Sequence, residues 1–299
     1  MIKKTICISN PSFIKKQDEQ LVIEQEENKQ SIPIEDIGVL LLDHYQITAT
    51  TSCISAILAN NGVIITCNKS HHPDGILLPI EGHVTHAETL KAQVESSLPL
   101  KKQLWQQTIK TKINNQAYAL HASGSNPDPL LYISKQVKSG DTSNCEGRAA
   151  VAYWKNFFPS GLKFRRDREG NPPNNLLNYG YTVLRALMAR AVVSTGLHPA
   201  LGIHHKNRYN AFCLADDLME PYRPFIDIVV RDIVVSESSY ELLTPDLKRR
   251  LLSTLNNDVY MENERRPLQL AVMRTATSLA QVFREEESKI AYPEINAAE

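Results

Sequence analysis

The sequence has no apolar run approaching the ~18 residues of a membrane-spanning helix, and no P-loop, G-x-G-x-x-G or G-x-S-x-G motif. Helical membrane spans, phosphate-cradling nucleotide loops and the serine nucleophile elbow are therefore excluded as its working parts. Cysteine is scarce: Cys7, Cys53, Cys67, Cys145 and Cys213 are odd in number and contain no C-x-x-C pair. That pattern argues against a disulfide framework and a thiolate zinc site, and it suits a reducing cytoplasm. The start, MIKKTICISNPSF, has two lysines but no apolar stretch of signal-peptide type, so a soluble, non-exported protein is expected.

An excess of either charge is also missing, with 33 basic and 33 acidic residues. A chain-wide nucleic-acid coat or an acidic tail is thereby excluded. The balance is uneven along the chain. Residues 1–85 hold six lysines, no arginine and ten acidic residues, a net of −4, against 27 basic and 23 acidic residues in 86–299. Any phosphate-binding surface is expected in the C-terminal part.

What is present is ample core material, 42% hydrophobic residues in 299, enough for two domains. From Thr5 to Cys67 the apolar residues fall in short runs, TICIS, QLVIEQ, SIPIEDIGVLLLDH, QITATT and GVIITC, which predict strands. SCISAILANN predicts one helix, stopped by Asn60, Asn61 and Gly62. CNKSHHPDGILLPIEGHVTH reads as an ordered connection, and from residue 87 onward the period is helical throughout. Trp105, Ile109, Ile113 and Ala117 form one predicted core stripe; Leu177, Leu184, Leu187 and Ala191 form a second, and Leu268, Val272, Leu279 and Phe283 a third. The expected architecture is α+β: a small β-rich domain over 1–85, a connection over 86–100, and a larger all-α domain over 101–299, with the residues after Ala291 frayed.

Four segments carry chemistry. Glu146 opens the helix in DTSNCEGRAAVAYW, where Ser143 and Glu146 match an S-x-x-E capping box; it reads as a cap or as a carboxylate metal ligand. GIHHKNRYNAFCLADDLMEPYRPFID places His204 and His205 in a loop, with Asp216, Asp217 and Glu220 shortly after. Oxygen ligands with one imidazole suit Mg²⁺ or Mn²⁺; the plainer reading is a pair of surface histidines and an acidic helix start near Pro221. Lys163, Arg165, Arg166 and Arg168 crowd a loop before a long helix, either as a phosphate-binding patch or as a solvated charge run. Lys248, Arg249 and Arg250, and Arg265 and Arg266, either extend that surface or solubilise it. Cys67, His71, His72, His83 and His86 admit a rival zinc site, although their spacing matches no common zinc module.

Taken in order, CNKSHHPDGILLP, LWQQTIKTKINNQA, CEGRAAVAYW, NNLLNYGYTVLRA and LGIHHKNRYNAFCLADDLMEPYRP resemble the CRISPR-associated spacer-acquisition integrase, the Cas-one endonuclease family, in its type II form. The resemblance covers nearly the whole chain. It implies a β-rich N-terminal domain used in dimerisation and a helical catalytic domain with a glutamate, histidine and acidic site around Mg²⁺ or Mn²⁺. Those positions fall on Glu146, His205 and Glu220, with His204 as the neighbouring histidine alternative and Asp217 as a further carboxylate that shapes the site. The implied reaction is attack of a 3′-hydroxyl of a short DNA fragment on a phosphodiester at the repeat boundary of a CRISPR array. A homodimer, a Cas-two protein and double-stranded DNA are the implied partners, with an effector nuclease and a subtype accessory protein as further candidates. A general metal-dependent DNA-repair nuclease and a non-catalytic DNA-binding scaffold are the rival readings.

Overall fold

The apolar runs of the N-terminal part pair into two four-stranded sheets in the computed structural model of the chain, which describes residues 3–26, 28–80, 83–237 and 239–295. The strands are β1 Lys4–Ile8, β2 Ser12–Gln17, β3 Gln20–Glu24, β4 Lys29–Pro33, β5 Ile37–Leu42, β6 Ile47–Ala49, β7 Val63–Cys67 and β8 Pro73–Leu77, with helix α1 Thr51–Ala59 between β6 and β7. One sheet has the order β1-β5-β7-β8, with β8 alone antiparallel to its neighbour; the other has the order β4-β3-β2-β6. Helix α1 stops at Ala59 as expected. At Gly62 an added Cβ would lie 2.6 Å from Ile57 Cγ2 and 2.9 Å from the Ile57 carbonyl oxygen, so only glycine fits this return.

Two of the N-terminal strands escaped the sequence reading. Strand β2, with two lysines in SFIKKQ, pairs with β3 across a turn at Asp18 and Glu19, both with positive φ. Strand β8, read as part of a connection, closes the edge of the first sheet.

The C-terminal part holds α2 His86–Glu95, α3 Leu98–Ala122, α4 Asp128–Lys135, α5 Cys145–Phe157, α6 Asn174–Ser194, α7 Cys213–Met219, α8 Arg223–Ser236, α9 Pro245–Ser253 and α10 Leu268–Phe283. All three predicted stripes lie in one core. One β element interrupts the helices: β9 Asp258–Met261 and β10 Glu264–Pro267 form a hairpin whose turn residues, Glu262 and Asn263, have positive φ. Each strand has only four residues, too few to disturb a helical period. Among the described residues no helix is long and apolar enough to cross a membrane.

The first sheet serves two cores. Val39, Leu41, Val63 and Ile65 face the helices, while Ile37, Leu40 and Ile64 face a smaller core with α1 and the second sheet. Burial on both faces explains why IGVLLL is continuously apolar. At the junction the buried Asp43 is held by Lys248 of α9 (2.5 Å) and by His71 (3.0 Å). His71 is thus spent on Asp43, and among the described residues no three His, Cys, Asp or Glu side chains form a metal-holding group, so the rival zinc site does not assemble. The expected frayed tail is tied down as far as Ile295: Tyr292 bonds Thr108 (2.9 Å), and Asn115 bonds both the Pro293 carbonyl (3.0 Å) and the Ile295 amide (3.1 Å). Residues 296–299 lie outside the described residues.

Candidate active site

The first turn of α5 is capped differently from the expected Ser143–Glu146 box. Asp141 accepts hydrogen bonds from the amides of Cys145 (2.8 Å) and Glu146 (2.9 Å), and Asn144 accepts from Gly147 (3.2 Å). With these amides satisfied by other side chains, the Glu146 carboxylate reaches across to α3. There Lys112 Nζ lies 2.7 Å from Glu146 Oε1 and 2.6 Å from Glu220 Oε2.

Glu220 stands where α7 passes through a 3-10 turn, Glu220–Tyr222, into α8. Its carboxylate is buried. Oε1 accepts from Arg223 Nε at 2.9 Å, whereas Oε2 has only the unaligned ion contact with Lys112 and no hydrogen bond. Burial works against this charge, but Arg223 and Lys112 outweigh burial and hold the carboxyl down at about 2. For Lys112 burial is likewise outweighed, by Glu220 and Glu146, and its ammonium is favoured.

The tandem histidines point different ways. His204 stacks face to face on the buried Trp105, centroids 4.2 Å apart, and burial lowers its pKa. His205 contacts the Trp105 edge and lines a cavity of about 990 Å³ together with Glu220. Its Nδ1 lies 2.5 Å from Oδ1 of the fully buried Asp217, whose hydrogen bond raises the imidazole pKa. With Asp217 as acceptor, Nδ1 carries the proton and Nε2 is left free, the support arrangement of metal-binding and proton-transferring histidines. Asp217 also accepts from the His204 amide at 2.8 Å. A Cβ at Gly202 would meet the His205 carbonyl oxygen at 2.5 Å and Asp217 Oδ2 at 2.8 Å, so the loop needs glycine there.

The basic loop divides. Arg166 bonds Asn174 and Asn178 (2.8 Å each) and lies over the Tyr181 ring, 5.4 Å from its centroid; with Arg168 it lines the cavity. Lys163 and Arg165 are exposed and are not part of that lining. The structure therefore joins Glu220 and His205 in one cavity, brings Glu146 to Glu220 through Lys112, and places Asp217 behind His205. Sequence reasoning missed Lys112, Arg223 and Arg185, the last bonded to Asp216 at 2.6 Å. Lys112 carried a signal: it continues the buried face of Ile109 and Ile113 on α3, where a lone charge needs a buried partner.

The donor types suit a hard divalent ion. Two carboxylates and an imidazole with Nε2 free are at hand, and one carboxylate oxygen is buried without a hydrogen bond. As they stand, however, these side chains are not gathered as a ligand set, and the Lys112 ammonium sits between the carboxylates.

The cavity is lined by four arginines, Arg166, Arg168, Arg185 and Arg223, and by four carboxylates, Asp74, Glu169, Asp216 and Glu220, a mixed set whose guanidinium groups can meet phosphate oxygens beside carboxylates that can meet a cation. Residues 6–241 match the family model for CRISPR associated protein Cas1, and the chain belongs to that family. It is 35% identical over 266 residues to the CRISPR-associated endonuclease Cas1 of Neisseria meningitidis serogroup C (strain 8013), covering 88% of this chain and 86% of that one. Its fold is similar to a casposase bound to integration product (TM-score 0.78, 21% identity, 100% of this chain and 96% of that chain). It is also similar to part of a Cas6-RT-Cas1–Cas2 complex (TM-score 0.77, 18% identity, 98% of this chain and 36% of that chain).

Proposed function

We propose that the protein is the integrase of CRISPR adaptation, joining the 3′-hydroxyl of a short DNA fragment to a phosphodiester in the repeat of a CRISPR array in a Mg²⁺- or Mn²⁺-dependent reaction. The observation that carries this reading is the pairing of Glu220 with an Asp217-supported His205 on the floor of an arginine-lined cleft, with Glu146 one ammonium away. The reaction exchanges one phosphodiester for another and needs no nucleotide cofactor.

In this reading Arg166, Arg168 and Arg223 hold phosphate oxygens on the cavity wall. His205 Nε2, kept available by the Asp217 contact, would accept the proton of the attacking hydroxyl or bind the ion that polarises it. Glu146, His205 and Glu220 would hold the divalent ion, whose chemistry is to activate an oxygen nucleophile and neutralise charge on the phosphorus oxygens. Run with water in place of the hydroxyl, the same groups cut DNA, in keeping with the endonuclease name of the Neisseria relative.

Joining both ends of a fragment takes two sites at fixed separation, so a homodimer assembled with a Cas2 protein on double-stranded DNA is part of the proposal. The similarity to a Cas1–Cas2 complex supports that assembly. The β-rich region over 1–85 is the proposed dimerisation domain and 101–299 the proposed catalytic one. Five free cysteines fit a cytoplasmic setting.

The test is strand transfer into a supercoiled CRISPR-array plasmid from a short duplex with free 3′-hydroxyls, in Mg²⁺ or Mn²⁺ with the Cas2 partner, beside His205→Ala and His204→Ala. Metal-dependent joining at the repeat boundary, lost in His205→Ala and kept in His204→Ala, is the expected result. Cutting without joining favours the repair nuclease, and binding without either favours the scaffold.

A further inference from the structure

The two carboxylates proposed to bind metal come from separate elements, α5 and the turn after α7, and what holds them together is an amine. Lys112 is buried in the face of α3 that carries Ile109 and Ile113. Its ammonium donates a hydrogen bond to Glu146 and stands 2.6 Å from the one oxygen of Glu220 that has no hydrogen bond. Glu220 meets Arg223 on its other oxygen. The charges nearest this pair thus cancel, two carboxylates against one ammonium and one guanidinium. A site so balanced has no net charge to attract a divalent ion, and an ammonium within 3 Å of both ligands repels it.

We propose that Lys112 is the resident cation of this site. It keeps Glu146 and Glu220 at their spacing in the metal-free protein, and it must leave Glu220 before a divalent ion can take its place. The inference rests on the reading of Glu146 and Glu220 as metal ligands. It goes beyond that reading in making metal and lysine competitors, so that the site is closed at rest. A DNA phosphate entering the cleft offers the displaced ammonium a new anion. By linkage, DNA therefore strengthens metal binding, and metal strengthens DNA binding by the same factor. Arg223 does not play this part, because its ion pair is with Glu220, whereas Lys112 meets both Glu146 and Glu220.

The experiment measures Mn²⁺ binding to the full-length, DNA-free protein by the electron paramagnetic resonance signal of free Mn²⁺. The unaltered chain is compared with Lys112→Met, which keeps the stem and removes the charge, and Lys112→Arg, which keeps the charge. Lys112→Met is expected to bind Mn²⁺ at least about tenfold more tightly, and Lys112→Arg within about threefold of the unaltered protein. Unchanged or weaker binding by Lys112→Met overturns the inference, as does an arginine variant that binds as tightly as the methionine one. If Lys112→Met fails to fold in metal-free buffer, refolding restored by Mn²⁺ supports the competition, and refolding that Mn²⁺ does not restore overturns it. A protein that joins DNA in Mn²⁺ while Lys112→Met gains no affinity leaves the integrase reading standing without this device. Failure to join or cut DNA in either ion would instead fail the integrase reading itself.

Discussion

Lys112 and Lys248 are both buried ammonium groups set against carboxylates from other elements, and the two clusters differ in how completely their oxygens are satisfied. At the junction of the sheets and helices, Lys248 meets one carboxylate, Asp43, whose second oxygen is taken by His71; charge and hydrogen bonds are both filled. On α3, one ammonium serves two carboxylates, and a buried oxygen of Glu220 has no hydrogen bond. The filled cluster is a fastener. In the other, a single ammonium is shared between two carboxylates and Glu220 Oε2 meets it only as an ion contact, so one cation stands where the proposed function asks for a divalent one.

The largest expected effect separates the two clusters by activity. Glu220→Ala should lower the rate of strand transfer at least ~10³-fold, about 4 kcal/mol at the transition state, while DNA affinity stays within about threefold. Single-turnover joining and a binding isotherm on the same protein check it; retained joining removes Glu220 from the site. Lys248→Met should do the reverse. It strands the Asp43 charge in the core, costing about 3–5 kcal/mol in urea unfolding, yet leaves joining per folded molecule intact at low temperature. A Lys248→Met protein of unchanged stability would dissolve the contrast.

A smaller effect tests the support behind the imidazole. Asp217→Asn presents an amide where His205 Nδ1 now finds a carboxylate, and the imidazole loses the partner that fixes its tautomer. A loss of about 10–100-fold in joining rate or metal affinity is expected, with little change in thermal stability.

The sequence made some of this legible and concealed the rest for physical reasons. The stripes through Trp105, Leu184 and Val272 were readable because helix burial recurs at a fixed period, and all three lie in the core. Strand β2 was hidden by Lys15 and Lys16, which pair with Glu24 and Glu19 at the surface, and β9 and β10 by their length. Glu146, His205 and Glu220 stood out by their match to family motifs, since each alone had a plainer explanation as a cap or a surface group. Lys112 stayed hidden because its partners are 34 and 108 residues away in sequence, a distance that only the packing of α3 against α5 and the turn after α7 closes.

The arginine loop offers a finer version of the same contrast between filled and unfilled groups. Arg166 is fixed by Asn174 and Asn178 within the cavity lining, whereas Arg165, one residue earlier, is exposed and outside it. Arg166→Ala should weaken DNA binding about 5–10-fold and reduce the salt slope by about one, while Arg165→Ala should change affinity less than about twofold. Equal losses from the two, measured across a salt series, would return the whole loop to the solvated-surface reading.

The smallest expected effect comes from a further buried carboxylate, Asp227, which is held by tyrosines. Asp227 receives the hydroxyls of Tyr153 (3.1 Å) and Tyr181, and the Tyr181 ring carries Arg223 on one side and Arg166 within cation-π reach. Burial raises its carboxyl to about 7, against the opposing pull of the two tyrosine hydrogen bonds and the two arginines. A carboxyl whose folded pKa lies above its unfolded value favours the fold when protonated. Its contribution is complete below the unfolded value near 3.8 and is lost as pH rises through about 7. Between pH 5 and pH 8 the unaltered protein should therefore lose more thermal stability than Asp227→Asn, which cannot ionise, by about 2–4 °C in melting temperature. Identical pH slopes would mean that Asp227 stays charged, fully compensated by Arg166 and Arg223. It would then belong with the filled Asp43 cluster, not with Glu220.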